Sequence, residues 1–310
     1  MSGTTVRVEL NPPWLDPTGH VELLNRGFPG KWSRPTYDWY IARPFHGVES
    51  ETFAVTDGYR ALSVVTLSYR QVCSDTNSPV DVGVIGSTVT LPNERGRGHY
   101  GRLLEAVRER AATKGYVAII GFVTRDNVST KGLVHRGALA IPSFYIASAP
   151  GRRPASPAAR DGLAHCAPER LTAAFAHRES SHPQGMRFLY TCSGDWRRQF
   201  IDRPSAVRAL RLSHDSLALV EPVHDTDRLQ WLACPREKVT GAIARLAAAS
   251  AAARRQFFLY TLDPLIAAAA RRIGLRMRPG YLMLWPTGYR PEAWSRLVNA
   301  SWNVQSGDRL

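Results

Sequence analysis

One short stretch, PNERGRGHYGRLL, constrains the fold more than any other, because three glycines fall within six residues between an apolar run and a helical pattern. The segment before it, Val82 to Thr90, is rich in β-branched residues, which favours a strand. After the glycines, apolar residues recur at helical spacing from Leu103 to Ala111. The pattern therefore predicts a strand, a glycine loop and a helix N-terminus, in that order.

A loop of this kind suits a phosphate group. The first N–H groups of a helix lack intrahelical partners, and glycines allow an anion to approach them closely. The spacing of Gly96, Gly98 and Gly101 also fits a dinucleotide fingerprint, but no acidic residue follows a second strand about 20 residues further on, as a ribose contact requires. The G-K-[ST] of triphosphate loops is absent. A tight turn that needs positive φ is the alternative interpretation.

The segment Arg95-Gly96-Arg97-Gly98 resembles the R-x-x-G-x-G/A pyrophosphate loop of the GNAT superfamily of acyl-CoA N-acyltransferases. Downstream, VAIIGFVT resembles the next strand of that family, and DNVSTKGLVHRGA resembles the helical segment that follows it. Upstream, ETFAVTDGYRALSVVTLSYRQV indicates a hairpin around Asp57-Gly58. Together the matches cover roughly residues 50–147.

The resemblance implies an α/β fold with a mostly antiparallel mixed sheet flanked by helices, and acetyl-CoA or another acyl-CoA as the acyl donor. In such a fold the edge of the strand before the loop pairs with the pantetheine amides and polarises the thioester carbonyl. The implied acyl-CoA contacts are Thr88, Val89, Thr90, Arg95, Gly96, Arg97, Gly98, His99, Tyr100, Gly101 and Asn127.

The residues that handle protons in many members of this family are missing. Leu133 occupies the position of the tyrosine that often serves as the general acid in this family. Phe122 aligns with a strand position where some members carry a catalytic glutamate. His135, Tyr145 and Asp81 are the candidate catalytic substitutes, since each has a titratable side chain near the expected cleft. For each of them a purely structural role is the alternative.

Three pairs of similar segments recur in the same order, which indicates a duplicated unit with some shortened loops. We therefore expect a GNAT domain at 1–150, a linker and connecting segment at 151–186 and a degenerate GNAT-like domain at 187–310, an arrangement that resembles tandem members of the family. The second copy has EKVTGAIARL in place of ERGRGHYGRL, so a single acyl-CoA site is expected, in the first half. The paired segments are YIARP and FIDRP, TVTLP and WLACP, and GALAIPSFYIA and GLRMRPGYLML.

Composition indicates where the linkers lie and in which cellular environment the protein is found. The stretch SAPGRRPASPAARDG is typical of an exposed linker, RFLYTC is expected to open the second unit, and SWNVQSGDRL to form a last strand. The chain has no apolar run near the length of a membrane span and no signal-peptide pattern, which predicts a soluble, cytoplasmic protein. Four scattered cysteines without C-x-x-C spacing make a metal site unexpected.

Positive charge concentrates in the second half of the chain. The net charge is +14; residues 1–150 carry 16 Lys and Arg against 13 Asp and Glu, and residues 151–310 carry 24 against 13. An acidic partner such as an aminoacyl-tRNA or an acyl carrier protein is one interpretation, and an arginine-rich surface that reflects codon bias is the other.

Three functions therefore stand at this point. The preferred one is transfer of an acyl group from CoA to a small-molecule amine acceptor, for instance in natural-product biosynthesis. The second uses aminoacyl-tRNA or a carrier-protein thioester as the donor. The third is acyl-CoA binding without turnover. The sequence leaves the acceptor and the oligomeric state open.

Overall fold

The computed structural model describes residues 6–74, 78–149, 164–166, 171, 185–191, 193–288 and 290–309. Most of the expected linker and connecting segment, 151–186, lies outside the described residues. Thirteen strands lie in the described part: β1 (Arg7–Leu10), β2 (Glu51–Thr56), β3 (Ala61–Cys73), β4 (Val80–Thr90), β5 (Ala118–Thr124), β6 (Leu139–Ala147), β7 (Ala164–His165), β8 (Arg187–Phe188), β9 (Arg208–Ser213), β10 (Ser216–Val223), β11 (Thr226–Ala233), β12 (Gln256–Thr261) and β13 (Arg276–Pro286).

The α-helices lie between the strands and, in one case, after the last strand. Their bounds are α1 (Pro17–Gly27), α2 (Arg34–Tyr37), α3 (His99–Thr113), α4 (Val128–His135), α5 (Ser193–Phe200), α6 (Val239–Ala252), α7 (Pro264–Arg272) and α8 (Pro291–Val298). None of the described helices is long and apolar enough to cross a membrane.

The strands form one continuous sheet in the order β1-β2-β3-β4-β5-β13-β6-β12-β11-β10-β9-β7, with β8 paired to β3. The β4/β5 and β11/β12 pairs are parallel, and the other described pairs are antiparallel. The predicted α/β class with a mostly antiparallel mixed sheet is confirmed. The predicted hairpin around Asp57-Gly58 is present as β2 and β3.

Helix α3 is held firmly against the sheet. Its apolar face, which includes Leu103, Leu104 and Val107, is buried in the main core. Near its C-terminal end, Arg110 donates hydrogen bonds to the Glu51 carboxylate on β2, the shortest at 2.6 Å. Burial alone would raise the pKa of Glu51, but hydrogen bonds, the strongest from Arg110, lower it to about 2. The helix whose N-terminus follows the glycine loop is thus fixed at both its core face and its far end.

Strand β13 lies between β5 and β6 and pairs with both of them. In the chain, however, it begins more than 120 residues after the end of β6. Its residues Met283 and Trp285 are buried in the core that α3 covers. The sheet and this core therefore run across the expected boundary between 1–150 and 187–310. The division into those domains stays a prediction.

The pairing of β6 with β13 has a local two-fold relation. In the alignment of GALAIPSFYIA with GLRMRPGYLML, Ser143 corresponds to Gly280, and these two residues stand directly opposite each other in the sheet. A residue of an antiparallel pair that faces its own counterpart lies on a two-fold axis between the strands. This relation is compatible with a duplicated unit, and the duplication itself stays a prediction.

Phe188 of the segment RFLYTC pairs with Val72 of β3, because both side chains are buried in one apolar cluster. That this segment opens a second unit stays a prediction. The expectation for the C-terminal tail was wrong. The tail does not form a strand. It forms isolated β-bridges at Trp302 and Gln305, followed by a 3-10 turn at Ser306–Asp308. The Gln305 side chain holds the tail in place, because its Oε1 accepts a hydrogen bond from the backbone N–H of Leu232 at 2.7 Å.

A buried histidine on α1 makes stability depend on pH. His20 is 1% exposed, its ring packs edge-on against Tyr37 at 5.3 Å, and its Nε2 has no hydrogen-bond partner among the described residues. Burial lowers the pKa of its imidazole from 6.5 to about 4. Protons therefore bind the unfolded chain more readily, and the free energy of unfolding should fall as the pH drops from about 6.5 towards 4.

Between pH 7 and pH 5 this coupling should remove about 2 kcal/mol of stability in the wild-type protein. Urea unfolding at both pH values measures the loss. His20→Phe keeps a ring against Tyr37 and cannot titrate, so it should lose about 2 kcal/mol less than wild type over the same interval. Equal losses in the two proteins would show that other groups cause the pH dependence.

Candidate active site

A cleft opens where β4 and β5 separate. The two parallel strands pair only at Val82 with Ala118, Gly83 with Ile119 and Val84 with Ile120. Beyond these pairs β4 continues to Thr90 along β3 on its other side. The β5-facing edge of β4 therefore has backbone N–H and C=O groups that no described strand pairs, as an edge strand does.

A β-bulge accompanies the separation. Gly86 stands opposite Thr66 and Val89 opposite Val64, so Ser87 and Thr88 together occupy the space of one partner residue. Ser87 has a φ of 49°, which is the left-handed region. Because a bulge bends its strand and increases the local twist, it helps to direct this end of β4 away from β5.

The glycine loop follows at the end of β4. After a 3-10 turn at Pro92–Glu94, Gly96 and Gly98 both have a φ of 79°, and Gly98 is the N-cap of α3 with no side chain to satisfy the free N–H groups. A Cβ added at either glycine would meet nothing within 4 Å. The backbone at both glycines therefore has the positive φ of a tight turn, and the space above it is open.

These elements enclose one cleft of about 590 Å³. Its walls are the open edge of β4, the glycine loop, the start of α3, the middle of β5 and the start of α4. The structure brings most of the sequence-predicted contacts together there. Those that line the cleft are Thr88, Val89, Thr90, Arg95, Gly96, Gly98, His99, Tyr100 and Asn127.

Two predicted contacts lie outside the lining. Arg97 is exposed and pairs with Glu94 at 3.3 Å. Gly101 lies within the first turn of α3, where an added Cβ would collide with the guanidinium of Arg136. That guanidinium hydrogen-bonds Glu105 on α3 and the carbonyl of Gly132 on α4, so Gly101 allows the two helices to be linked closely.

An unpredicted carboxylate lies in the loop. Glu94 is 8% exposed and lines the cleft. Its carboxylate is surrounded by Arg97, by Arg60 at 3.6 Å and by the His99 Nε2 at 3.4 Å. These neighbours offset its negative charge, and Arg95, whose Nε donates to the Thr90 carbonyl at 3.4 Å, adds a cation at the rim. The loop therefore remains suited to an anion.

The inner end of the cleft is mostly apolar. Phe122 and Leu133 both line it. These are the two positions where the resemblance stated above would place proton-handling side chains. Tyr100 lies beside them, with its ring 3.3 Å from the place of a Cβ on Gly132. Burial raises the pKa of the Tyr100 phenol to about 12, although a hydrogen bond with Ser129 acts in the opposite direction. Asn127 caps α4 by accepting the Ser129 N–H at 2.9 Å.

The three candidate catalytic residues are not gathered in this cleft. His135 is exposed near the C-terminal end of α4, and Asp81 lies before the strands separate and accepts a hydrogen bond from Gln71 at 2.9 Å. Tyr145 lies on β6 under the guanidinium of Arg309, 4.7 Å from its ring centre, and burial raises the pKa of its phenol. His135 and Asp81 lie at the ends of their elements that are away from the cleft lining, and β13 separates the strand of Tyr145 from β5.

Sequence reasoning missed several parts of the cleft. Gly27 and Phe28, at the end of α1, line it, and Gly27 allows α1 to approach because an added Cβ would overlap Val89. No local pattern marks this contact, since the two residues are far apart in the chain. Glu94 lies within the motif PNERGRGHYGRLL, so its negative charge beside the glycines was the sequence signal that could have identified it as part of the cleft.

Comparison with known proteins gives a likeness in structure alone. No family model matches the sequence, and no curated protein matches it. Among solved structures, the N-myristoyltransferase of Saccharomyces cerevisiae with bound myristoyl-CoA is similar at a TM-score of 0.65 and 9% identity, over 92% of this chain and 83% of that chain. A probable N-acyltransferase of unknown function from Enterococcus faecalis V583 is similar at 0.59 and 11%, over 91% and 72%.

A third similar structure is a GCN5-related N-acetyltransferase from Sphaerobacter thermophilus, with a TM-score of 0.55 and 12% identity over 90% of this chain and 96% of that one. At such identities the likeness establishes the fold. The chain has the GNAT fold, that of GCN5-related N-acetyltransferases, and its cleft between β4 and β5 lies beside the glycine loop. Among the described residues, no group of three or more His, Cys, Asp or Glu is placed to hold a metal ion.

Proposed function

We propose that the protein is an N-acyltransferase that moves an acyl group from a CoA thioester to the amine of a small molecule. The observation that carries this proposal is the combination, in one cleft, of an open strand edge on β4 and a side-chain-free helix N-terminus at Gly98. The open strand edge suits the amides of a pantetheine arm, and the helix N-terminus suits a pyrophosphate.

The glycine loop fits the pyrophosphate in three respects. Positive φ at Gly96 and Gly98 turns the loop so that open space lies above it. The helix dipole and the free N–H groups at the start of α3 favour an anion there. Arg95 at the rim supplies a formal positive charge, while the carboxylate of Glu94 is already paired.

The reaction needs one bond to form and one to break. The nitrogen of a neutral amine attacks the thioester carbonyl carbon, an N–C bond forms, and the C–S bond breaks to release the CoA thiolate. A backbone N–H on the open edge of β4 stabilises the negative charge that develops on the carbonyl oxygen. Holding donor and acceptor in line accounts for much of the rate, because no covalent enzyme intermediate is required.

Tyr100 is the lining residue best suited to return a proton to the thiolate. It lines the cleft together with Leu133, and its phenol is protonated at neutral pH and can donate, although the raised pKa of about 12 weakens it as an acid. The proton lost by the amine passes to solvent in this scheme, because the apolar inner wall offers no described base.

Release of free thiol from acetyl-CoA in the presence of an amine panel tests the proposal. We expect turnover with some amines, and Tyr100→Phe should lower kcat at least tenfold while changing the KM for acetyl-CoA little, since the ring and its packing remain. Tyr59→Phe, at an exposed hairpin tip, is the matched control and should behave as wild type. CoA binding by calorimetry with no thiol release for any amine would favour an acyl-CoA-binding protein without turnover.

A further inference from the structure

A second cavity, of about 290 Å³, lies between strands β11 and β12 and the C-terminal tail. Its floor is the face of β11 and β12 that presents Arg228, Gln230 and Gln256. Residues alternate between faces along a strand, so Arg228 and Gln230 share this face while Asp227 points to the opposite one. The C-terminal tail covers the cavity through Ser306 and Arg309.

The cavity carries excess positive charge. Arg203 also lines it, but its guanidinium is paired with Glu221 at 3.0 Å, and both side chains are almost fully buried. Arg228 and Arg309 have no ion pair with any carboxylate that the structure describes. Two half-buried guanidinium groups therefore face one small space without a described counter-charge, which favours an anion between them.

Two buried polar atoms in the lining also lack partners. Gln230 is 2% exposed; its amide nitrogen donates to Glu221 at 2.6 Å, but its Oε1 has no hydrogen-bond partner among the described residues. The Nε of Arg309 is likewise buried and unpartnered within the described part of the chain. Buried polar groups are normally hydrogen-bonded, so a ligand with both an acceptor and a donor group would complete the site.

The cavity adjoins the cleft through aromatic side chains. The guanidinium carbon of Arg309 lies 4.5 Å from the ring centre of Tyr260 and 5.9 Å from that of Phe122, and Phe122 lines the cleft itself. The ring of Phe122 therefore lies between the Arg309 guanidinium and the cleft.

We propose that this cavity binds the anionic group of the acceptor, so that the substrate class is amines that also carry a carboxylate or a phosphate-like group. This inference rests on the proposed acyl transfer. Arg228 and Arg309 bind the anion, Gln230 Oε1 accepts an N–H or O–H of the acceptor, and the free amine extends past Phe122 to the thioester. Both arginines are positioning and specificity residues, since neither touches the reacting atoms.

Calorimetry at constant ionic strength tests the site without turnover. The probes are N-acetylglycine, its phosphonate analogue N-acetylaminomethylphosphonate, and neutral N-acetylglycinamide. We expect saturable one-to-one binding of at least one anionic probe and at least tenfold weaker binding of the neutral one; the stronger anionic probe identifies carboxylate or phosphonate as the preferred group. Arg228→Gln and Arg309→Gln should each weaken anion binding at least tenfold, and Arg211→Gln, on the exposed side of β9, should not.

Two further results separate this inference from the proposed function. Gly98→Trp should keep the anion binding, because it alters only the glycine loop; loss of binding in that variant would place the anion at the loop and overturn the inference. In thiol-release assays, amines with a free carboxylate or phosphonate should exceed their amides at least tenfold in kcat/KM, and Arg228→Gln should remove that preference. Equal or better use of neutral amines would also overturn it.

If no probe binds while acetyl-CoA binds normally, the acceptor inference is wrong and the proposed function stands. If the anionic probes bind but neither CoA nor acetyl-CoA does, the proposed function is wrong, and with it the assignment of the cavity's ligand as an acceptor.

Discussion

Gly98→Trp is expected to weaken CoA binding at least 100-fold, equivalent to about 2.7 kcal/mol, and to leave the protein folded. Gly98 lies at a φ of 79° at the start of α3, and the space over its α-carbon is open. An indole placed there would fill the volume that a pyrophosphate needs and cover the free N–H groups. The left-handed backbone should cost about 1–2 kcal/mol of stability. Calorimetry with CoA and thermal unfolding measure the two effects.

The chain contains its own control for this experiment. Gly241, the residue that aligns with Gly98, lies inside α6, has ordinary helical φ and is exposed, with nothing within 4 Å of an added Cβ. Gly241→Trp should therefore leave CoA binding unchanged and alter stability little. Wild-type CoA affinity in Gly98→Trp, or equal losses in both variants, would contradict the assignment of the loop.

Trp285→Ala is expected to lower the free energy of unfolding by about 3–5 kcal/mol, as truncation of a large buried aromatic does. Trp285 lies on β13, is 1% exposed and donates its indole N–H to the carbonyl of Arg136 at 2.8 Å. Its ring is also 5.4 Å from the Arg108 guanidinium on α3. The truncation would leave a cavity beneath the helix that bears the glycine loop, so urea unfolding and CoA affinity should both change.

Trp285→Phe separates packing from hydrogen bonding in the same position. It keeps most of the buried ring and leaves one carbonyl without its donor, so we expect a smaller loss, about 1–3 kcal/mol. If Trp285→Ala lowered the free energy of unfolding by less than about 1 kcal/mol, β13 would not support the core beneath α3, contrary to its position between β5 and β6.

The comparison of the two proline-led segments explains why only one of them has a glycine loop before its helix. After Pro92, the 3-10 turn ends at Glu94 and residues 95–98 form the loop before α3 begins. After Pro235, the 3-10 turn at Arg236–Lys238 passes directly into α6 at Val239. Val239 and Thr240 belong to the helix where Gly96 and Arg97 form the loop, so the second segment has no loop at this place.

The catalytic candidates illustrate where sequence reasoning ended. The resemblance to the GNAT superfamily implies that Leu133 stands where many members carry a tyrosine, and Leu133 does line the cleft. The sequence predicts His135 and Asp81 near the cleft, but residue spacing does not determine the face or end of an element on which a side chain lies. Tyr100 is predicted as an acyl-CoA contact, and it does line the cleft.

The sequence by itself determined the local elements around the site: the strand that ends in a glycine loop and the helix that follows. These features depend on residue type and short spacing, which govern φ, helix capping and strand propensity. Only the tertiary structure decided that β13 lies between β5 and β6 and that Arg228 and Arg309 face one cavity. Such contacts join residues far apart in the chain, and they follow from how whole strands pair and bury their faces rather than from any local pattern.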